Sequence, residues 1–126
     1  MKITYRMNQQ FNSMQLAELY EMVYQKPVNY GLIKNAISHS LYSIGAYDGS
    51  QLIGLVRVIG DGHSVVIIQN LMIAKDYEEM GIESNLINRV LSRYKSVPIV
   101  MMYADDDPEE LFASDNTRTL KVISSS

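Results

Sequence analysis

The chain has 126 residues, a net charge of −3 and no cysteine, and 47% of its residues are hydrophobic against 20% charged. These values are typical of one globular domain with a single core, and they exclude disulfides, thiolate zinc sites and a cysteine nucleophile. The chain has only two histidines, so we expect no metal site, and its negative net charge argues against nucleic-acid binding. It has no apolar run of about 18–20 residues and no apolar region near its N-terminus. We therefore expect no membrane binding and a cytoplasmic location.

The first third of the chain predicts a strand followed by two helices. Alternating apolar residues indicate a strand over 2–7. A helix capped by Asn12 or Ser13 then runs to Val23, because its apolar residues recur at helical spacing. After a break at a proline, a shorter helix is expected over 29–38.

The middle of the chain changes to the period of strands. Three apolar runs, 41–47, 51–60 and 64–73, are separated by Asp48-Gly49 and Asp61-Gly62. Asp-Gly pairs between such runs are strong hairpin signals. The sequence therefore predicts an antiparallel meander, and the nearly continuous apolar character of its third strand places that strand at the centre of the sheet.

The last third predicts a helix, a parallel strand and a weaker ending. One helical face carries five apolar or aromatic residues: Leu86, Ile87, Val90, Leu91 and Tyr94. The strand that follows, 97–103, comes after a helix and is expected to run parallel to 64–73, as in a crossover unit. Pro108 marks a helix start, and 117–124 reads as a last strand. Together these elements predict a mixed α/β domain.

Three stretches, taken in order, make the chain resemble the GNAT superfamily of acetyl-CoA-dependent N-acetyltransferases. They are AYDGSQLIGLVRVIGDG, IIQNLMIAKDYEEMGIESNLINRVL and VPIVMMYADDDPEELF. The resemblance implies a GNAT-like acyl-CoA N-acyltransferase fold: a mixed, mostly antiparallel sheet flanked by helices, with one splayed pair of parallel strands. We expect a single domain over 1–126, in which 113–126 forms an abbreviated C-terminal strand and tail.

The resemblance also implies where acetyl-CoA would bind. In this family a strand edge pairs with the pantetheine arm, and Asn70 to Ile73 occupy the matching positions. The loop pattern Q/R-x-x-G-x-G/A keeps Gly81, but Glu78 and Glu83 replace the polar and the small residue. The implied cofactor-binding residues are Leu71, Met72, Ile73, Glu78, Glu79, Met80, Gly81, Ile82, Glu83 and Ser84.

The loop over 75–84 is acidic, with one lysine and four acidic residues. Backbone N–H groups at a helix N-terminus attract a pyrophosphate, but acidic side chains beside it would weaken its binding. Alternatively, Glu83 simply stabilises the helix dipole from the first turn, or occupies the anion site itself.

The tyrosine that often protonates the leaving thiolate in this family has no counterpart, because Ser114 or Ala113 stands at its position. Tyr103, at the end of the parallel strand, and Asp105, just after it, are the candidate catalytic residues. Packing is the alternative role for the tyrosine, and a solvated loop is the alternative for the aspartate.

Nine of the 14 acidic residues lie in two stretches, 76–83 and 105–110. They are either solvated loops or an acidic rim that attracts a cationic small-molecule or peptide amine. We expect an N-acetyltransferase that acts on a primary amine. The alternatives are a catalytically impaired GNAT-fold binding or regulatory module, and an unrelated α/β domain. An incomplete C-terminal sheet edge favours pairing with another chain, as in a homodimer.

Overall fold

The computed structural model describes residues 2–7, 11–103 and 120–125, and for Tyr103 and 120–125 it describes the backbone alone. The strands are β1 Ile3–Met7, β2 Tyr42–Asp48, β3 Gln51–Gly60, β4 Val65–Ile73, β5 Ile99–Tyr103 and β6 Leu120–Ser125. The helices are α1 Ser13–Tyr24, α2 Tyr30–Ser38 and α3 Ile82–Arg93, and a short 3-10 helix spans Lys75–Tyr77.

The strands form one mixed sheet in the order in which they occur along the chain, β1 to β6. Neighbouring strands are antiparallel except β4 and β5, which are parallel and are joined through α3. The predicted crossover is therefore confirmed, and β4 is a central strand as its apolar character indicates. The predicted helix that starts at Pro108 lies outside the described residues.

Side-chain caps fix where the first two helices begin. The Asn12 side-chain oxygen accepts hydrogen bonds from the backbone N–H groups of Met14 and Gln15, at 3.0 and 3.1 Å. The Asn29 oxygen accepts one from Leu32 at 3.1 Å. Each cap satisfies backbone donors that the first helical turn leaves without a partner. Of the two cap residues proposed for α1, Asn12 is the one used.

Both Asp-Gly pairs lie in the turns where the sequence places them. Gly49 has φ 62°, a left-handed conformation suited to glycine in the β2–β3 turn. The Asp61 carboxylate accepts backbone hydrogen bonds from His63 and Ser64, each at 2.8 Å. The Ser64 hydroxyl and these backbone bonds hold the pKa of Asp61 well below its usual range, because they favour the charged carboxylate.

The helices pack on opposite faces of the sheet. A side chain at Gly54 would meet Ile82 of α3, whereas one at Gly45, which pairs with Leu55, would meet Phe11 just before α1. Three α3 residues are buried: Ile82, Leu86 and Val90. The predicted apolar face of α3 packs on the core, where Leu91 and Tyr94 are half-buried against the buried residues. Ile87 is also half-buried.

Candidate functional site

The parallel strands β4 and β5 separate halfway along β4. Their pairing runs from Val65 with Ile99 to Ile68 with Met102, and it goes no further. β4 nevertheless continues to Ile73, paired with β3 on its other side. In the described part of the chain, the β4 edge from Gln69 to Ile73 therefore faces no strand. We call this segment the open β4 edge; it is the splayed geometry that the resemblance implies.

A β-bulge lies at the start of the open β4 edge. Leu55 of β3 pairs with Met72 of β4, and Arg57 of β3 pairs with Gln69 of β4. One β3 residue between these pairs therefore lies opposite two β4 residues, Asn70 and Leu71. Asn70 has φ 50°, in the left-handed region that costs most residues free energy but that asparagine tolerates. Bulges of this kind redirect a strand and are frequent beside active sites.

Buried polar side chains gather around one cation next to the bulge. The Arg57 Nε donates to the Asn70 side-chain oxygen at 2.7 Å, and its Nη1 donates to the Ser40 hydroxyl at 3.2 Å. Arg57 is 7% exposed. Every buried polar or charged residue of the described chain contacts Arg57 or lies next to it in the sheet register: Ser40, Ser43, Gln69 and Asn70. We call this set the Arg57 cluster.

Arg57 determines the orientation of the Asn70 carboxamide. Because a guanidinium only donates hydrogen bonds, the Asn70 oxygen must face it, and the Nδ2 group points elsewhere as a donor. This Nδ2, like the Ser43 hydroxyl, is buried and has no hydrogen-bond partner among the described residues. A buried donor without a partner costs about 1–3 kcal/mol. The site therefore holds two preorganised donors on neutral side chains.

The chain leaves β4 through a loop that ends at the start of α3. Gly81 has φ 75° and is the cap residue of α3, yet no side chain caps this helix. The first backbone N–H groups of α3 therefore point out of the helix without a side-chain partner, which is the arrangement that binds anions. Tyr77 ties the loop to the β2–β3 hairpin through a 2.6 Å hydrogen bond from its hydroxyl to Asp48. This bond raises the pKa of Tyr77.

The loop geometry suits a pyrophosphate, but its charge opposes one. Glu78, Glu79 and Glu83 are all exposed around Gly81, and 75–84 carries a net charge of −3. At an effective dielectric constant of about 20, unit charges 4 Å apart interact by about 4 kcal/mol; exposure and salt reduce this strongly. The residues present thus fit the shape of the CoA diphosphate and would weaken its binding.

The structure distributes the predicted cofactor residues between backbone and side-chain roles. Met72 is fully buried, and Leu71 and Ile73 are half-buried in the core. Met72 can therefore serve a ligand only through its backbone. Ile82 also faces the core, whereas Met80 is 45% exposed at the loop. These residues lie in the open β4 edge and the loop that follows it, as the sequence predicts, and their binding roles stay predictions.

The candidate catalytic residues lie at the end of β5 and beyond it. Tyr103 ends β5, next to Met102, the last residue that pairs with β4. Asp105 and the Ala113–Ser114 stretch lie outside the described residues. The catalytic roles of Tyr103 and Asp105 therefore stay predictions.

Arg57 is the site residue that sequence reasoning misses. It is the one charged residue in the β3 run QLIGLVRVIG, and a lone arginine in an otherwise apolar central strand is a signal of a buried polar contact, since arginine is almost never fully buried without a partner. Its partners are 13 and 17 residues away, so the contacts themselves could not be read from the local pattern.

The GNAT-like acyl-CoA N-acyltransferase fold expected from the sequence is confirmed by solved structures of the same fold. A GNAT-family acetyltransferase from Streptococcus pneumoniae TIGR4 is similar to this chain at 28% identity and TM-score 0.73, over 88% of this chain and 83% of that one. The recognition of this chain as a GNAT-superfamily protein is thus confirmed, at the level of the fold.

Two further solved structures share this fold at low identity. The Escherichia coli ribosomal-protein-S18-alanine N-acetyltransferase is 9% identical at TM-score 0.72, over 99% of this chain and 96% of that one. The E. coli GNAT N-acetyltransferase YhbS, solved with CoA, is 16% identical at TM-score 0.68, over 82% of this chain and 63% of that one.

Other comparisons and searches give no match. No protein-family model matches the chain, and no curated protein sequence matches it. Within the described residues, no group of three or more acidic or histidine side chains is arranged to hold a metal ion. The same part of the chain contains no helix of the length and apolarity that crossing a membrane requires.

Proposed function

We propose that this protein is an N-acetyltransferase that transfers an acetyl group from acetyl-CoA to a primary amine. The observation that carries the proposal is the open β4 edge, which lies beside a loop leading into an uncapped helix start. An unpaired strand edge can take up an extended ligand by backbone hydrogen bonding, and a helix start can take up its phosphates.

The chain's own groups would divide the work as follows. Acetyl-CoA supplies an acetyl group that is already activated as a thioester. The backbone of Gln69 to Ile73 holds the pantetheine arm as an added strand. We assign the stabilisation of the developing oxyanion to N–H donors of this edge. The Arg57 cluster positions them, because its bond to Asn70 holds the bulge in place.

The acceptor would be a cationic amine. The residues that support this assignment are the acidic ones of the 105–110 stretch, which follows β5 in the sequence. An acidic rim concentrates cations near the site by long-range attraction. The amine must lose its proton before it attacks, and Asp105 is the residue we assign to that step, with Tyr103 as the donor to the leaving thiolate.

One observation favours a second function. Glu78 and Glu83 stand where the family pattern has a polar and a small residue, and both are exposed at the helix start. A GNAT-fold module that binds CoA weakly or not at all, and that acts by binding or regulation, is the alternative. Weakening by about 1.4 kcal/mol reduces affinity ten-fold, so modest repulsion suffices.

Calorimetric titration with acetyl-CoA and with CoA separates the two functions. The acetyltransferase predicts saturable binding at micromolar to low millimolar concentration. Lowering the salt concentration should raise the affinity if positively charged groups dominate the site, and should lower it if the glutamates dominate. Absence of heat and of thermal stabilisation at millimolar acetyl-CoA would rule out the acetyltransferase.

A charge variant tests the electrostatic argument itself. Glu78→Gln with Glu83→Gly restores the family pattern, and we expect it to bind CoA about ten-fold more tightly than the unmodified chain. Glu18→Gln with Glu21→Gln, on α1, is the matched control because it removes the same charge on another element. An equal gain in both variants would mean that net charge, and not the loop, weakens binding.

A further inference from the structure

A groove runs along α3 on the side that faces β1 and β2. It has a volume of about 670 Å³ and extends from Gly81 and Ser84 at the start of α3 to Arg93 at its end. Its other lining residues are Tyr42, Asn85, Asn88, Arg89 and Ser92. The helix rises by about 1.5 Å per residue, so the groove is roughly 14 Å long from Ser84 to Arg93. This size lies in the range of small-molecule sites.

Two arginines one helical turn apart give the groove its charge. The Arg89 guanidinium stacks on the Tyr5 ring, 4.3 Å from its centre, and the Arg93 guanidinium stacks on the Tyr42 ring at 4.4 Å. The Arg89 Nε also donates to the Asn85 side-chain oxygen at 2.7 Å. Aromatic stacking restrains both side chains, so that less conformational entropy is lost when they bind a ligand.

Glu79 and Glu83 flank the Gly81 end of the groove but do not line it. In the described part of the chain, the lining contains no acidic residue and neither arginine forms an ion pair. Burial raises the pKa of Tyr42, although both arginines act against this shift, so the phenol stays neutral at physiological pH.

We propose that this groove binds a phosphorylated small molecule with at least two negative charges. Arginine forks match phosphate oxygens in a bidentate manner. The hydroxyl and amide groups of Ser84, Asn88 and Ser92 supply neutral donors along the same face. A phosphate has more acceptor oxygens than a single carboxylate, and a row of neutral donors beside two cations suits it better.

This site is separate from the open β4 edge. Arg89 and Arg93 reach towards Tyr5 of β1 and Tyr42 of β2, whereas the open β4 edge continues the side of β4 on which Val65 to Ile68 pair with β5. The two sites approach each other only at the start of α3, where Gly81 and Ser84 close one end of the groove. Binding of a phosphorylated ligand in this groove does not depend on acetyl-CoA binding or on catalysis. Either the groove proposal or the proposed acetyltransferase function can therefore fail while the other holds.

Titration of the full chain with inorganic pyrophosphate tests the proposal. The measurement is the change in backbone amide NMR shifts together with calorimetry, for the unmodified chain and for Arg89→Gln and Arg93→Gln. Each substitution should weaken binding at least about ten-fold, since each removes a charge-assisted hydrogen bond. Arg6→Gln is the matched control, because Arg6 stacks on Tyr47 at 4.6 Å on the opposite face of the sheet. It should change affinity less than about two-fold.

The outcomes decide the proposal in each case. Shifts centred on α3 residues 84–93 that both groove variants abolish, and that Arg6→Gln leaves intact, support it. Absence of binding at 10 mM pyrophosphate, or equal effects of all three substitutions, would overturn it. Tighter binding of citrate than of pyrophosphate would overturn the assignment to phosphate. Displacement of pyrophosphate by saturating CoA would show that the groove belongs to the CoA site and would overturn its separateness.

Discussion

Replacing Asn70 by glycine or by alanine separates two demands that the β4 bulge makes on this position. The backbone demands a left-handed conformation, with φ 50°, and the side chain must accept the 2.7 Å hydrogen bond from Arg57. Both substitutions remove the side-chain oxygen. Only glycine adopts the left-handed conformation without a steric cost, so the difference between the two variants isolates the backbone.

The expected losses of stability differ by a measurable amount. A hydrogen bond to a charged group contributes about 1.5–3 kcal/mol, and Asn70 is 1% exposed. Because the substitution also removes the unpaired Nδ2 donor, we expect Asn70→Gly to lose about 1–2 kcal/mol. Alanine adds a left-handed penalty of about 1–2 kcal/mol, partly offset by the larger entropy of unfolded glycine. We therefore expect Asn70→Ala to lose about 1 kcal/mol more than Asn70→Gly.

Equilibrium unfolding in urea, followed by circular dichroism, measures the free energy of unfolding of both variants. The dependence of this free energy on urea concentration should be the same in both. CoA affinity is the second measurement, because the bulge begins the open β4 edge. Asn70→Gly should keep more CoA affinity than Asn70→Ala. Equal stability of the two variants would refute the backbone argument, and a loss below about 0.5 kcal/mol in both would refute the importance of the Arg57 bond.

Three further predictions follow from the loop, its glycine and the β3–β4 turn. Tyr77→Phe removes the bond to Asp48, and we expect faster amide hydrogen exchange in 75–81 and weaker CoA binding; unchanged exchange would contradict the anchoring role. In Gly81→Ala the added Cβ meets no atom within 4 Å, but the backbone must keep φ 75°. The variant should therefore lose about 1 kcal/mol of unfolding free energy through the backbone alone. Urea unfolding measures this loss, with Gly31→Ala, where φ is not positive, as the control. The folded-state pKa of Asp61 is depressed. Its contribution to stability is therefore complete above an ordinary carboxyl pKa near 4 and is lost as pH falls through and below that value. The free energy of unfolding below about pH 4 should fall more steeply for the unmodified chain than for Asp61→Asn, and parallel curves would contradict this.

Local patterns were sufficient to predict most elements of this fold. Hydrophobic period separated the helices from the strands, and the Asp48-Gly49 pair placed the first hairpin, because turn conformation depends on neighbouring residues. The predicted β3, 51–60, has the bounds Gln51–Gly60. The position of Gly81 before α3 was likewise readable, since a left-handed residue at a helix start favours glycine.

The features that shape the candidate site depend on distant residues and were not readable. The bulge at Asn70 is defined by its register with β3, and Arg57 finds its partners on β4 and after α2. The groove requires Tyr5, from the first strand, to lie under Arg89. Such contacts arise from tertiary packing, so a sequence can indicate only that Arg57 is an unusual residue in an apolar strand.

The central claim is that the open β4 edge is where acetyl-CoA binds. Backbone amide NMR shifts recorded during titration with CoA test it most directly. We predict the largest changes at Gln69 to Ile73 and in the first turn of α3, together with increased protection of the β4 amides from hydrogen exchange. Saturable binding that leaves Gln69 to Ile73 unchanged and unprotected would contradict the claim.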